Sequence, residues 1–152
     1  MDIATYLKDK GVRFEIHEHP PAYTAQEMAA EEHVSGKMIA KVVVVQADGK
    51  YALCALPANY KLDMRKVAKA LKCKAVRLAD ESEMAKLFPD VEVGAEPPMG
   101  NLWDLPTVVD IHLAADEEIV FQGGTHRNAV RMRYDDYYTL THPFVADLAA
   151  TL

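Results

Sequence analysis

Cysteine is scarce in this sequence, with only Cys54 and Cys73 among 152 residues. Two cysteines make at most one bridge, which excludes a disulfide scaffold, and both are expected to be reduced, small apolar residues without redox chemistry. Long apolar runs are missing too. The longest, around Val42 to Val45, falls far short of the roughly 20 residues a spanning helix needs. The opening MDIATYLKDKG lacks the basic, apolar, then small order of an export signal, which predicts a cytoplasmic protein with no membrane partner. There is no repeat, no low-complexity tract and no Gly/Ser linker, and the eight prolines are scattered. A single domain over 1–152 is expected. No Gly-x-Ser-x-Gly elbow and no GxxxxGK[ST] phosphate loop occurs. His17 and His19 flank Glu18 but find no third ligand at a recognisable spacing, so neither metal nor cofactor is expected.

What is present is ordinary globular composition, 50% apolar and 26% charged, in a chain long enough to bury roughly 70% of its unfolded surface. The net charge of −6 argues against a protein that coats nucleic acid by bulk electrostatics, and no DNA partner is expected. The charge is nevertheless unevenly placed. Lys61, Arg65, Lys66, Lys69, Lys72, Lys74 and Arg77 face a single acid, Asp63, so residues 61–77 carry +6 and the remainder −12. Such a run is commonly just a solvated helix face, and it points to nucleic acid only beside a second signal.

Ile3, Tyr6 and Leu7 predict a helix over 3–10 stopped by Gly11. Alternation of Val12, Phe14 and Ile16 against polar neighbours predicts a half-buried strand over 12–17, ended by Pro20 and Pro21. Thr24 is an N-cap candidate with Glu27 at capping-box spacing, for a helix running to about Glu32. The valine run, Asp48-Gly49 and residues 51–56 predict a hairpin. Asp63 can cap a helix with Met64, Val67, Ala68 and Leu71 inward and Arg65, Lys66, Lys69 and Lys72 outward. A short strand over 74–78, a helix over 80–88, strands over 107–113, 119–122 and 129–133, and a helical tail over 134–152 interrupted at Pro143 complete the pattern. Strands interleaved with helices without a regular βαβ rhythm predict an α+β fold with a mixed sheet.

The segment EVGAEPPMGNLWDLP, residues 92–106, is too broken for a regular element and long enough to need a reason, which makes it the leading site candidate. Gly94 has backbone freedom closed to other residues, while Pro97 and Pro98 fix φ and remove two donors, leaving a stiff loop whose few free amides can be aimed at one oxygen. Lys41 shares a strand face with Val43 and Val45, and either snorkels from the strand end or is held in a pocket. His126 follows Gly123-Gly124 and can exchange hydrogen bonds near neutral pH. Cys54, inside an apolar strand, is expected to be inert. With no evident nucleophile, an enzyme built this way would use water or a group of its substrate.

HPPAYTAQEMA, SGKMIAKVVVV, ALPANYKLD, LADESEMAKLFPDVEVGAEPPMG and FQGGTHRNAV, in this order over about residues 14–133, resemble the YbaK/prolyl-tRNA-synthetase-associated domain family. The resemblance implies a mixed sheet curled into a partly open barrel flanked by helices. It also implies the activity of a free-standing aminoacyl-tRNA deacylase, with mischarged tRNA as partner and an aminoacyl-tRNA synthetase as a second one. Lys41 matches the family lysine implied to bind the phosphate or ribose end of the terminal adenosine. Gly94, Ala95, Glu96, Pro97 and Pro98 match the Gly-x-x-x-Pro loop, implied to hold the ester carbonyl and orient the attacking water. Gly124 and His126 match a substrate-contacting position, and Tyr23 and Thr24 the wall of the amino-acid pocket. The family implies that the substrate's 2′-hydroxyl assists proton transfer, consistent with the absence of a protein base near the loop. Lys72 departs from the helix-ending glycine usual in the family.

An aminoacyl ester is already activated, and water placed in line with donors for the developing oxyanion is sufficient chemistry. Lys61, Arg65, Lys66, Lys69 and Lys72 would then meet tRNA phosphates outside the pocket. Two rivals share these residues: a non-catalytic module recruiting tRNA or a synthetase, and a hydrolase of some other small acyl ester. Together, Lys41 and the 94–98 loop favour catalysis, because an adaptor needs only the basic surface.

Overall fold

A computed structural model describes residues 2–152. Helix α1 (Ile3–Asp9) is capped by Asp2, and the chain turns at Gly11, φ +71°. Strand β1 (Phe14–Glu18) precedes α2 (Ala25–Glu32), whose N-cap Thr24 accepts the Glu27 amide as the capping spacing predicted. The hairpin of β2 (Ala40–Ala47) and β3 (Lys50–Pro57) turns at Asp48 and Gly49, both at positive φ, the geometry that matches strand twist. After β4 (Tyr60–Leu62), the Asp63 side chain caps α3 (Met64–Leu71). Then come β5 (Val76–Leu78), α4 (Glu81–Leu87) with a full capping box between Asp80 and Glu83, β6 (Thr107–Asp110) and α5 (Ile111–Ala114). Strands β7 (Glu118–Gln122) and β8 (Asn128–Arg133), helix α6 (Tyr134–Thr141) and strands β9 (Phe144–Ala146) and β10 (Ala149–Thr151) complete the chain.

The strands form a mixed five-stranded sheet, β5-β2-β3-β6-β9, an antiparallel sheet β1-β8-β7 and the pair β10-β4. A parallel bridge between Ile39 and Val120 ties the first two. The expected α+β class and mixed sheet are present, while the strands divide into three sheets and close no barrel among the described residues. The valine run is continuous because both faces of β2 are covered. Val43 and Val45 pack with Val67 and Leu71 of α3, whereas Val42 and Val44 pack with Phe88 and with Met84 and Leu87 of α4, as buried central strands require. Parity also splits β7: Ile119 and Phe121 join the main core with Leu7 and Tyr137, while Val120 faces Met28 of α2.

Several expectations fail for identifiable reasons. The strand predicted over 107–113 ends at Asp110, whose carboxylate accepts the His112 amide and starts α5. The tail is helical only to Thr141. His142 takes a left-handed conformation, φ +49°, and β9 and β10 follow by pairing with β6 and β4. Half-burial of β1 stops at Phe14, because β1 lies at a sheet edge and Ile16 is exposed. The broken segment 92–106 does contain one regular piece, a 3-10 turn at Gly100–Trp103. No helix among the described residues is long and apolar enough to cross a membrane.

Candidate functional site

A cavity of about 120 Å³ opens where α2, the start of β2, the end of β7 and the 94–98 loop meet. Its walls include Tyr23, Met28, Lys41, Gly94, Glu96 and Gln122. These six come from four separate stretches of chain, two of which, the start of β2 and β7, the Ile39–Val120 bridge draws together. A more open hollow of about 630 Å³ lies around Arg13, Asp116, Glu118, Arg133 and Asp135. Ion pairs of Glu118 with Arg131 and of Arg133 with Asp135 neutralise charges around it, and one orphan oxygen, Asp116 Oδ2, borders it, whereas the smaller cavity brings together two orphan side chains and a half-buried lysine.

Lys41 is half-buried, and its Nζ donates to the Ala58 carbonyl at 3.4 Å. No ion pair of Lys41 occurs among the described residues, and burial lowers the pKa of its ammonium. A cation held in a wall without a counter-charge is poised for an anionic or oxygen-rich ligand. Of the two sequence readings of Lys41, the pocket reading describes the geometry.

The loop is built by backbone bonds. Gly94 has φ +88°. The Ala95 amide donates to the Glu92 carbonyl, the Gly124 amide to the Ala95 carbonyl, and the Glu92 amide to the Gly124 carbonyl. Ala95, Pro97 and Pro98 are buried behind the loop and do not line the cavity. Pro98 is pinned from behind, its carbonyl accepting the hydroxyl of the buried Tyr137 at 2.6 Å. The expectation of free loop amides is corrected at Gly94, whose N–H donates to Glu96 Oε1 at 3.0 Å.

Glu96 is 2% exposed, and its Oε2 has no hydrogen-bond partner among the described residues. Burial raises the pKa of its carboxyl, against lowering contributions from backbone N–H groups and from His126. Gln122 donates through Nε2 to the Ala22 carbonyl at 2.9 Å and leaves Oε1 buried without a partner among the described residues. Orphan polar atoms are few in native proteins and demand an explanation. Two of them line this one cavity.

His126 stands behind the loop rather than in the cavity wall. Its backbone N–H donates to Glu92 Oε1, and its ring Nε2 lies 2.9 Å from the Val93 carbonyl. A carbonyl can only accept, so Nε2 carries the proton and Nδ1 is left as the second ring nitrogen, buried without a partner among the described residues. The ring also lies tilted against that of Tyr23, centroids 4.7 Å apart at 41°, and Tyr23 is 67% exposed at the cavity mouth. Thr24 does not line the cavity, since its hydroxyl caps α2. Gln122, Ala25, Ile39, Ala40 and Val42 are cavity residues that sequence reasoning missed. A polar residue ending an apolar strand before a glycine pair was the available signal for Gln122.

Among the basic residues, Lys61, Arg65, Lys69 and Lys72 are exposed. Lys66 turns back instead, donating to Asp147 at 3.1 Å and to the Ala149 carbonyl at 2.7 Å. Helix α3 covers the Val43 and Val45 face of β2, the face on which parity also places Lys41. Cys54 is fully buried, its thiol pushed up to about 12, which makes it the inert residue expected. No group of three His, Cys, Asp or Glu side chains able to hold a metal occurs among the described residues.

Residues 19–140 match the family model of the aminoacyl-tRNA editing domain. Among solved structures, a protein described as a proposed trans-editing enzyme for prolyl tRNA synthetase superposes with a TM-score of 0.86. It is 26% identical, over 97% of this chain and 94% of that one. A hypothetical protein, APE2540, shares the fold with a TM-score of 0.88 at 24% identity, over 97% and 99% of the two chains. The same fold occupies 30% of a longer protein from Marinobacter aquaeolei VT8, at 17% identity and a TM-score of 0.74 over 97% of this chain. With 19–140 matched and the fold shared end to end, the chain belongs to the aminoacyl-tRNA editing domain family.

Proposed function

We propose that this protein is a trans-acting deacylase that hydrolyses the ester between a small non-cognate amino acid and the 3′ end of tRNA. The observation that carries this reading is the cavity itself: a half-buried ammonium without a counter-charge, Lys41, opening with the Gly94 loop on a space of about 120 Å³. The volume favours a small side chain. Lys41 holds the phosphate or ribose end of the terminal adenosine, and the loop backbone holds the ester carbonyl. The Gly94 N–H is bonded to Glu96 Oε1 before substrate enters, so a carbonyl oxygen takes it up by displacing or sharing that contact.

Water adds to the ester carbonyl carbon, the bond from that carbon to the ribose oxygen breaks, and the ribose oxygen takes the proton that the water gives up. The products are the free amino acid and a tRNA with its hydroxyl restored. A pre-placed donor at the developing oxyanion contributes about 3 kcal/mol of barrier lowering, and holding water in line adds to it. The exposed cations of α3 and β4 lie on the Lys41 side of the sheet and suit the phosphates leading away from the pocket.

The test is amino-acid release from a panel of mischarged tRNAs, beginning with alanine and serine on the proline tRNA, for wild type and Lys41→Ala. Hydrolysis of one pair is expected, falling at least tenfold in the variant with an unchanged thermal melt, since a charged hydrogen bond to substrate is worth about 1.5 to 3 kcal/mol. Silence across the panel with tRNA still bound would instead identify a recruiting module. Turnover unchanged in Lys41→Ala would remove that residue from the mechanism.

A further inference from the structure

The cavity is lined by one basic and one acidic side chain, Lys41 and Glu96, that form no ion pair with each other among the described residues: Nζ donates to the Ala58 carbonyl and Oε1 accepts the Gly94 amide. Buried opposite charges ordinarily gain by pairing. Here each takes a backbone partner instead and borders the same cavity.

Glu96 is the more deeply buried of the two. At 2% exposure, with Oε2 facing no donor among the described residues, its ionised form is only partly compensated, by the Gly94 amide on Oε1. A donor at Oε2 relieves that cost, and a cationic donor relieves it most. The anchoring of Oε1 by the Gly94 amide fixes the carboxylate beside the loop, at the place where an ester carbonyl would be held. An aminoacyl ester carries its ammonium group one carbon from that carbonyl. The separation between a backbone donor and a side-chain acceptor two residues along the same turn suits these two neighbouring groups of one substrate.

We infer that Glu96 is the receptor for a free α-amine, its Oε2 accepting the substrate's ammonium while the loop addresses the carbonyl, so that the site takes unblocked aminoacyl esters and discriminates against amine-free or N-blocked acyl esters. This specificity role rests on the hydrolase reading for the ester, but the amine site itself does not. The orphan Gln122 Oε1 on the same wall supplies a second acceptor for the ammonium's remaining protons.

The experiment compares alanyl and propionyl esters of one tRNA, which differ only in the amine, with wild type and Glu96→Gln, each rate divided by its uncatalysed rate. Wild type is expected to favour the alanyl ester at least tenfold in kcat/KM, and Glu96→Gln to lose that preference by slowing the alanyl ester alone. Equal loss on both esters would overturn the inference and make Glu96 a group that acts on water or props the loop. An unchanged preference would overturn it as well. If neither ester is hydrolysed, the hydrolase reading fails and a binding arm decides the amine site. Calorimetry with 3′-alanylamino- and 3′-propionylamino-3′-deoxyadenosine should then show at least tenfold tighter binding of the amine-bearing amide, lost in Glu96→Gln. Equal binding, or binding of neither, would overturn the amine site too.

Discussion

At the scale of single residues, the cavity is assembled at a cost in stability. Glu96 has a carboxyl pKa raised by burial. Below its unfolded pKa both states are protonated and burial of the charge costs nothing; as pH rises through the folded pKa, the folded state alone resists ionisation and loses stability. Glu96→Gln keeps an oxygen for the Gly94 amide and removes the charge. Its melting temperature is therefore expected to exceed that of wild type at neutral pH, with the gap closing as pH falls toward the ordinary glutamate range of about 4.3. Thermal melts of both proteins across that interval check it, and a gap independent of pH would show that the carboxylate is already compensated. The residues that could be read from sequence were those with unusual backbone or position: Gly94 at positive φ and Lys41 at the head of a valine run. Glu96 was legible as a loop member but not as an orphaned carboxylate, because its isolation depends on what packs against it.

At the scale of elements, local chemistry governed legibility. The ends of α2, the β2–β3 hairpin and α3 follow from Thr24, Asp48-Gly49 and Asp63, each acting on neighbours within a few residues. The three-residue strands β4, β9 and β10 have no such signal; they exist because β10 pairs with β4 and β9 with β6 across the chain. Lys72 shows the two kinds of information together. It ends α3 at φ +53°, a conformation that costs an ordinary residue roughly 1 kcal/mol and a glycine almost nothing. Lys72→Gly is expected to stabilise the fold by about 1 kcal/mol in urea unfolding while weakening tRNA binding. A variant no more stable than wild type would mean that the lysine stem packs well enough to offset the strain.

At the scale of the whole molecule, the −6 chain with a +6 segment is a polarised surface. Salt dependence measures how many of those cations reach phosphate. Replacing Lys61, Arg65 and Lys69 together by alanine is expected to make the plot of log affinity against log salt shallower by roughly 0.7 to 0.9 for each lost contact. Lys66→Ala should leave that slope alone, because its ammonium is occupied by Asp147 and the Ala149 carbonyl. An unaltered slope in the triple variant would move the tRNA footprint elsewhere.

The bond from the Tyr137 hydroxyl to the Pro98 carbonyl joins two segments 39 residues apart in the chain. Every residue named in the cavity wall lies between Tyr23 and Gln122, yet the loop that closes the wall leans on a side chain fifteen positions further on. A transplant of residues 19–126 into another host would carry all the reactive groups and leave behind the strut that sets their height. A segment that keeps site and strut together must reach at least residue 137, and the span matched to the editing family, which runs to residue 140, includes that strut.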